Sequence, residues 1–455
     1  SRSVAIGHCA LSVQNFTSAT NSNNTAVGFS AGESVTTGTL NTLIGAQAGN
    51  DITTGEQNTL VGGLAGDAIT TGSYNIAIGT NGGGGVTTGD QNILIGQGTG
   101  MAALEGDLNT VVGDSAGAAL TTGTKNTLIG ASAGDALTTG DRNVVIGNDA
   151  LSAETQGDRN IAIGVLALAS QNNTSDTDVY NIGIGFQAGT AITTGIQNTL
   201  IGGLVGDSLT DGDFNVAIGY AALDADTLGD KSVAIGKSAL TNQNFTSSTD
   251  THNTAVGFHV GLNITTGLQN TLIGSSSGDS LTDADFNVAV GYNTLGTDTL
   301  GSRSVAIGYE ALKVQNFTSA TNSYNTAVGF HAGNDITTGV QNTLMGGLTG
   351  DHLTDADKNT AFGYAALTAD TKGSKSTAIG QGALAAQNFT SATDSHNTAV
   401  GYQAGASVTT GTANTFIGSI SGDANTIGGE NVALGYGALG SNVSGDRSTA
   451  IGYLA

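Results

Sequence analysis

The chain has 455 residues, of which 72 are glycine, none is proline or tryptophan, and only 11% are charged. Its net charge of −24, from 12 basic and 36 acidic residues, argues against binding to nucleic acid or to an anionic membrane surface. A single cysteine, Cys9, excludes a disulfide framework or a cysteine metal site within one chain, and no apolar run is long enough to span a bilayer.

A 17-residue repeat begins near the N-terminus. It opens with asparagine at Asn24, Asn41, Asn58, Asn75, Asn92, Asn109, Asn126, Asn143 and Asn160. From Asn160 a 72-residue period appears, made of three 17-residue units and one 21-residue unit, and the equivalent units at 232, 304, 376 and 448 open with serine. No composition shift marks a linker, so we expect one continuous array over residues 1–455. The last unit carries no polar cap, and we therefore expect flanking sequence.

Each unit starts with a segment such as NTLIG, residues 41–45, which predicts a short strand closed by a glycine turn. The later segment DITTG, residues 51–55, predicts a second strand and turn. This pattern is typical of one coil of an all-β parallel solenoid, with coils about 4.8 Å apart. We expect about 25 coils in a rod, glycine corners with positive φ, and a ladder of asparagine side chains.

Both faces of the first strand are apolar. Its third position holds Leu43, Leu60 and Leu128, and its fourth holds Ile44 and Ile129. Because neighbouring strand side chains face opposite ways, one row fills the coil and the other needs a partner that repeats along the array. Copies of the same chain are the simplest partner, and we expect the third-position leucines to lie at that interface.

The 21-residue units carry four extra residues, which must leave the coil as a loop. Each loop carries an aromatic or amide side chain beside an Asn and a Thr, a combination suited to a sugar or another receptor. The candidate receptor-facing residues are Phe16, Asn173, Phe245, Phe317 and Phe389. The alternative is that each phenylalanine folds back to fill a neighbouring coil.

Three segments resemble a known family. They are SVAIG at 3–7, 232–236 and 304–308, NTAVG at 24–28, 253–257 and 325–329, and STAIG at 376–380 and 448–452. They are similar to the head repeat of trimeric autotransporter adhesins, the YadA-like head. The resemblance implies a left-handed parallel β-roll with three parallel chains around a common axis. The family's unit is shorter, and the longer style here is similar to arrays in phage tail fibres and in large bacterial surface proteins.

Other patterns suggest ligands less strongly. Aspartates cluster at 207–213, 279–285 and 351–357, but their spacing matches neither an EF-hand nor the nonapeptide calcium roll, so we interpret them as turns. Adjacent threonines such as Thr36 and Thr37 face opposite ways and do not form an ice-binding Thr-x-Thr row. The residue after the strand glycine is often aromatic, as in Phe330 and Tyr364, which suggests a carbohydrate-binding stripe or a packed corner column.

No catalytic arrangement stands out, so we expect a non-enzymatic structural and adhesive fibre without a cofactor. The first hypothesis is an extracellular trimeric shaft or head of a phage tail fibre or similar virion appendage. Its partners would be two further copies of the chain and a host surface glycan or receptor, with no membrane insertion. The alternatives are a bacterial cell-surface trimeric autotransporter adhesin and, in another class, a calcium- or ice-binding solenoid.

Overall fold

A computed structural model of the chain describes residues 2–455, and these residues form strands and turns with no helix. They divide into two compact units, Ser1–Asp230 with Thr246–Ser248 and Lys231–Phe245 with Thr249–Ala455. Each unit is a parallel β-solenoid with 13 three-residue coil strands. The predicted all-β parallel solenoid with a 17-residue repeat is therefore confirmed, with about 26 coils rather than 25.

The coil strands of the first unit are Val4–Ile6, Thr25–Val27, Thr42–Ile44, Thr59–Val61, Ile76–Ile78, Ile93–Ile95, Thr110–Val112, Thr127–Ile129, Val144–Ile146, Ile161–Ile163, Ile182–Ile184, Thr199–Ile201 and Val216–Ile218. Those of the second unit are Val233–Ile235, Thr254–Val256, Thr271–Ile273, Val288–Val290, Val305–Ile307, Thr326–Val328, Thr343–Met345, Thr360–Phe362, Thr377–Ile379, Thr398–Val400, Thr415–Ile417, Val432–Leu434 and Thr449–Ile451. Two-residue strands lie at Gly157–Asp158, Thr177–Asp178, Gly229–Asp230, Thr249–Asp250, Gly301–Ser302, Thr321–Asn322, Gly373–Ser374 and Thr393–Asp394.

Within each unit the coil strands pair in parallel and in register. Leu43 pairs with Leu60, 17 residues ahead, whereas Ile161 pairs with Ile182, because the coil between them is four residues longer. Parallel pairing at constant register places identical columns above one another. The sequence repeat is thus converted directly into continuous columns of like side chains.

Asparagine side chains form the predicted ladder inside each unit. Oδ1 of Asn41 accepts a hydrogen bond from the backbone N–H of Asn58 at 3.0 Å, and Nδ2 of Asn58 donates to the carbonyl of Gly72 at 2.9 Å. Asn41 and Asn58 are fully buried. The ladder therefore satisfies backbone groups at a corner of the coil that the strand itself does not reach.

The second predicted strand is wrong. In the DITTG segment Ile52 is buried, but the chain bends at Thr53 and Thr54 instead of extending. The backbone N–H groups of Thr36, Thr37 and Gly38 all converge on the carbonyl of Thr53, at 3.0–3.3 Å. Three donors on one acceptor form a turn rather than a ladder, so this side of the coil stacks without becoming a strand.

Glycine is required at two corners for different reasons. Gly45 has φ of +139°, which side chains with a Cβ rarely adopt. Gly49 has φ of +57°, and a Cβ there would lie 2.7 Å from Ile52 Cδ1. Glycine is not the only residue with positive φ, since Gln57 has φ of +58° while its N–H bonds to the carbonyl of Thr39 at 2.9 Å.

Candidate functional site

The outward face of the coil strands is an unpaired apolar surface in a single chain. Ile44, Ile78 and Ile129, all at the fourth position, are 37–40% exposed. Thr42 and Thr59 flank this row at the second position and are half-buried. This apolar row recurs coil after coil, whereas exposed apolar residues on an ordinary protein surface are scattered singly.

The predicted interface leucines lie on the opposite face. Leu43, Leu60 and Leu128 are fully buried inside their own coils. A Cβ on Gly49 would approach the methyl groups of Leu43 and Leu60 to 2.9 Å, which shows how tightly this interior is packed. The prediction that these leucines meet another chain is therefore wrong, and the exposed apolar row is formed by the fourth-position residues instead.

The loop side chains predicted to face a receptor are mostly inside the protein. Phe245, Phe317 and Phe389 are 5–6% exposed, Asn173 is 8% exposed, and Phe16 is half-buried. The folded-back alternative describes the three buried phenylalanines, and their predicted exposure is wrong. What each loop exposes is the short tip that follows, such as residues 318–320 and 390–392. Receptor binding by the tips stays a prediction.

A buried carboxylate holds the loops that begin at Asn172, Asn316 and Asn388. In the loop that begins at Asn316, Oδ1 of Asp298 accepts hydrogen bonds from the N–H of Gly301 at 3.1 Å and of Phe317 at 3.2 Å. Its Oδ2 accepts from Nε2 of Gln315, which also donates to Ser304 at 2.9 Å. Asp298 and Gln315 are fully buried. We call this arrangement of one acid and one glutamine the loop clasp.

The clasp recurs in the loops that begin at Asn388 and Asn172. Asp370 accepts from the N–H of Phe389 at 3.2 Å and from Gln387. In the first unit a glutamate replaces the aspartate and an asparagine replaces the phenylalanine. Oε2 of Glu154 accepts from Gln171 at 2.8 Å and from Nδ2 of Asn173 at 3.1 Å. The longer acid therefore occurs in the loop whose buried side chain is an amide, because that amide needs an acceptor.

Two-stranded ladders and polar contacts close the base of four of the loops. Gly301 and Ser302 pair in parallel with Thr321 and Asn322, and Gly373–Ser374 pairs with Thr393–Asp394. Side chains on the surface add Arg159 with Asp178, Lys375 with Asp394, and Arg303 with Asn322. These exposed contacts contribute little by themselves, so the loop's position depends mainly on the buried clasp.

Burial raises the pKa of the Asp298 carboxyl, and the hydrogen bonds from Gln315 and from the backbone of Phe317 offset part of that rise. A buried acid without those donors would be far costlier. The larger pKa shift belongs to Asp224. Burial, followed by the hydrogen bond and the charge of Asp207, raises the pKa of Asp224 to about 7. These two carboxyls lie one coil apart, so ionisation of Asp224 would place two negative charges close together.

The Asp-rich segments hold neighbouring coils together. Asp213 accepts from the N–H of Ile196 at 2.7 Å, Asp285 from that of Leu268 at 2.8 Å, and Asp357 from that of Val340 at 2.8 Å. Across residues 2–455, no group of three His, Cys, Asp or Glu residues is placed to hold a metal ion. Each of these aspartates therefore accepts a hydrogen bond from a backbone N–H that lies one coil earlier in the chain.

Threonine hydroxyls are also used in stacking. Thr36 Oγ1 donates to the carbonyl of Thr53 at 3.0 Å, and Thr53 Oγ1 to that of Thr70 at 3.1 Å.

The exposed aromatic column behaves differently, since its rings stack on one another across coils. Tyr292 and Tyr309 lie 5.4 Å apart, and Tyr309 and Phe330 lie 5.5 Å apart, at interplanar angles of 20° and 15°.

The sequence analysis did not predict the clasp, although the sequence contains a pattern that indicates it. Asp298 stands at the unit position where Ile52, Leu120 and Leu137 are buried apolar residues. Such a substitution occurs in the unit just before a 21-residue unit, and glutamine takes the same position 17 residues later. An acid in an otherwise apolar column indicates a buried partner, because an unpaired buried charge is costly.

No protein-family model matches this sequence, and the search of curated proteins gave no match. The described residues also contain no helix long and apolar enough to cross a membrane. The parallel solenoid of 17-residue coils is thus established by the structure, while the resemblance to YadA-like heads rests on the pentapeptide segments alone.

Proposed function

We propose that this chain is a segment of a structural and adhesive fibre in which three parallel copies pack through the outward faces of their coil strands. The observation that carries the proposal is the fourth-position row, in which Ile44, Ile78 and Ile129 remain more than a third exposed on an otherwise well-packed coil. The number three and the left-handed winding come from the resemblance to YadA-like heads.

The geometry of the row favours a second copy over an unrelated partner. Every coil repeats the same apolar positions at a spacing of about 4.8 Å, and a partner that covers them continuously must repeat at that spacing. Parallel copies in register meet this condition at every coil. A symmetric assembly also places like side chains together, so the apolar row covers itself.

The interior supports a mechanical rather than a catalytic role. Buried groups such as Asn58, Asp298 and Gln315 are committed to hydrogen bonds within or between coils. The carboxylates of the Asp-rich segments are committed in the same way. These commitments favour a rigid extracellular shaft or head, as in a phage tail fibre, with a bacterial surface adhesin as the alternative setting for the same assembly.

Site-specific cross-linking tests the assembly. In a Cys9→Ser background, Ile44→Cys places one thiol per chain on the outward strand face, and a short bismaleimide should link two copies in high yield. Thr37→Cys is the matched control, because Thr37 is exposed on the turn side of the next coil segment rather than on the strand face. Parallel copies in register predict a linked dimer band only for the Ile44 variant.

Equal linking at both positions would mean random collisions, and no linking at Ile44 would contradict the proposed interface. A mixed experiment tests whether the chains run parallel and in register. If Ile44→Cys and Ile129→Cys chains are refolded together, parallel in-register packing predicts links between like chains but none between unlike ones. Abundant unlike links would indicate an antiparallel or shifted arrangement.

A further inference from the structure

The aromatic column is interrupted in a regular way. In each full 72-residue period, one coil carries an aromatic residue after the strand glycine, the next carries glycine or serine, and the one after carries tyrosine. The triplets are Phe186, Gly203 and Tyr220; Phe258, Ser275 and Tyr292; Phe330, Gly347 and Tyr364; and Tyr402, Ser419 and Tyr436. All eight aromatic side chains are about half exposed.

Each interruption leaves a slot between two rings. Rings one coil apart lie 5.4–5.5 Å from each other, as Tyr292, Tyr309 and Phe330 do. Rings two coils apart are therefore separated by roughly 10 Å, twice the coil spacing of about 4.8 Å. A flat ring placed midway would lie about 5 Å from each wall, which is within the range of stacked rings.

The Gly347 slot is bordered by Tyr364 on one side and by Phe330 on the other. Cδ2 of Tyr364 would lie 3.5 Å from a Cβ on Gly347, so the tyrosine ring borders the empty position from one side. On the other side, His331 stacks on Phe330 at 4.1 Å but is also 5.6 Å from Tyr309 in the preceding coil. Its Nε2 lies 3.2 Å from Glu310, so His331 covers the far face of Phe330 and leaves the slot face uncovered.

The walls of the slot are aromatic rings, whose faces suit an apolar face of a guest. The chain has 36 acidic residues, yet none follows a wall or floor residue in these four triplets. The residue after the first aromatic is instead Gln187, His259, His331 or Gln403, each able to donate and accept hydrogen bonds. The chain's net charge of −24 disfavours an anionic guest.

We propose that these four slots bind the rings of neutral hexopyranoses, one ring sandwiched between two aromatic side chains. A pyranose presents C–H groups on its faces, which suit the electron-rich faces of Phe330 and Tyr364. Its hydroxyls lie at its edge, within reach of the hydroxyl of the wall tyrosine. The inference deepens the adhesive part of the proposed function, but it does not depend on the number of chains.

Saturation-transfer NMR on the intact protein tests this inference. The probes are methyl β-D-glucopyranoside, methyl β-D-galactopyranoside and methyl α-D-mannopyranoside. Saturation should pass from the protein to the C–H protons on the ring faces of at least one of them. A variant that removes one wall from every slot, with Tyr220, Tyr292, Tyr364 and Tyr436 each changed to alanine, should lower the signal at least tenfold.

A slot-filling variant is the matched control. Gly203→Tyr, Ser275→Tyr, Gly347→Tyr and Ser419→Tyr keep every wall and add exposed aromatic area, and the column accepts such a ring because Tyr309 already stacks between two others. If the slot is the site, filling it should abolish transfer. Equal or stronger transfer to the filled variant, or no transfer to the native protein from any probe, would overturn the inference.

The oligomer mass of each variant, measured by light scattering, separates this inference from the proposed assembly. If the native protein is a single chain and still binds the sugars, the slot proposal stands and the proposed trimeric assembly is wrong. A filled variant that loses both sugar and partner chains would place the slots at the contact between chains, which overturns the sugar site.

Discussion

Oδ1 of Asn58 accepts a hydrogen bond from the backbone N–H of Asn75 at 2.9 Å, one coil further along a fully buried ladder. Asn58 also donates to the carbonyl of Gly72, and to Oδ1 of Asn41 at 3.1 Å. One side chain thus satisfies groups in three consecutive coils, and its loss cannot be absorbed within its own coil.

Replacing Asn58 by leucine should therefore open the structure locally. The N–H of Asn75 and the carbonyl of Gly72 would be buried without partners, at a cost of about 1–3 kcal/mol each. Hydrogen exchange measured by mass spectrometry should show faster exchange over residues 70–76. The matched control is Gln57→Leu, because Gln57 is exposed and leucine already occupies the same conformation at Leu40. Equal effects of the two variants would contradict the ladder's role.

The Glu154 clasp predicts a coupled pair. Glu154→Asp alone should shorten the acid and leave the amide of Asn173 without its acceptor, and Asn173→Phe alone should crowd the longer acid. The double variant recreates the Asp and Phe combination seen at Asp298 and Phe317, so it should recover much of the lost stability. Side chains in contact couple by about 0.5–3 kcal/mol.

Hydrogen exchange of the backbone N–H of residue 173 provides the readout for this double-mutant cycle, since Glu154 accepts a hydrogen bond from it at 3.1 Å. Additive effects of the two substitutions would contradict a shared clasp. A parallel cycle with Glu154→Asp and the exposed Asn172→Ser serves as the control, because no coupling is expected there.

The carboxyl pair of Asp207 and Asp224 predicts a pH-dependent stability. The pKa of Asp224 is raised in the folded state to about 7, so its contribution is fully present below the unfolded pKa of about 4. It is lost as the pH rises from about 4 through 7. The melting temperature of the native protein should fall over this window, and Asp224→Asn should flatten the fall.

Asp211→Asn is the control for that measurement, since Asp211 is an exposed acid in the same region. It should leave the pH profile of the native protein unchanged. A carboxyl carbon NMR titration gives the apparent pKa of Asp224 directly. Titration of Asp224 in the ordinary acid range would contradict its raised pKa.

The sequence predicted the parallel coils because their columns repeat at constant spacing, and it predicted the asparagine ladder from one residue type at one position. It assigned the strand faces the wrong way round. Two apolar faces look alike in a sequence, but alternation counted from the buried Asn41 places Thr42 outward, Leu43 inward and Ile44 outward. The ladder thus contained the information that would have assigned Leu43 to the interior.

The loops were harder to predict for a physical reason. Their length shows that they leave the coil, but not which of their side chains return to it. Phe317 returns because its own N–H bonds to Asp298, and that acid is 19 residues away in the preceding coil. The second strand failed for a similar reason, since three donors share the carbonyl of Thr53, a pattern that β propensity does not reveal.

The mass of the native protein in solution tests the central claim most directly. The claim is that the outward apolar row, including Ile44 and Ile129, is covered by two further copies of this chain. Light scattering coupled to size-exclusion chromatography, at several protein concentrations, should give three times the chain mass of 44.8 kDa. A constant mass of 44.8 kDa, with the β-solenoid circular dichroism intact, would contradict the account.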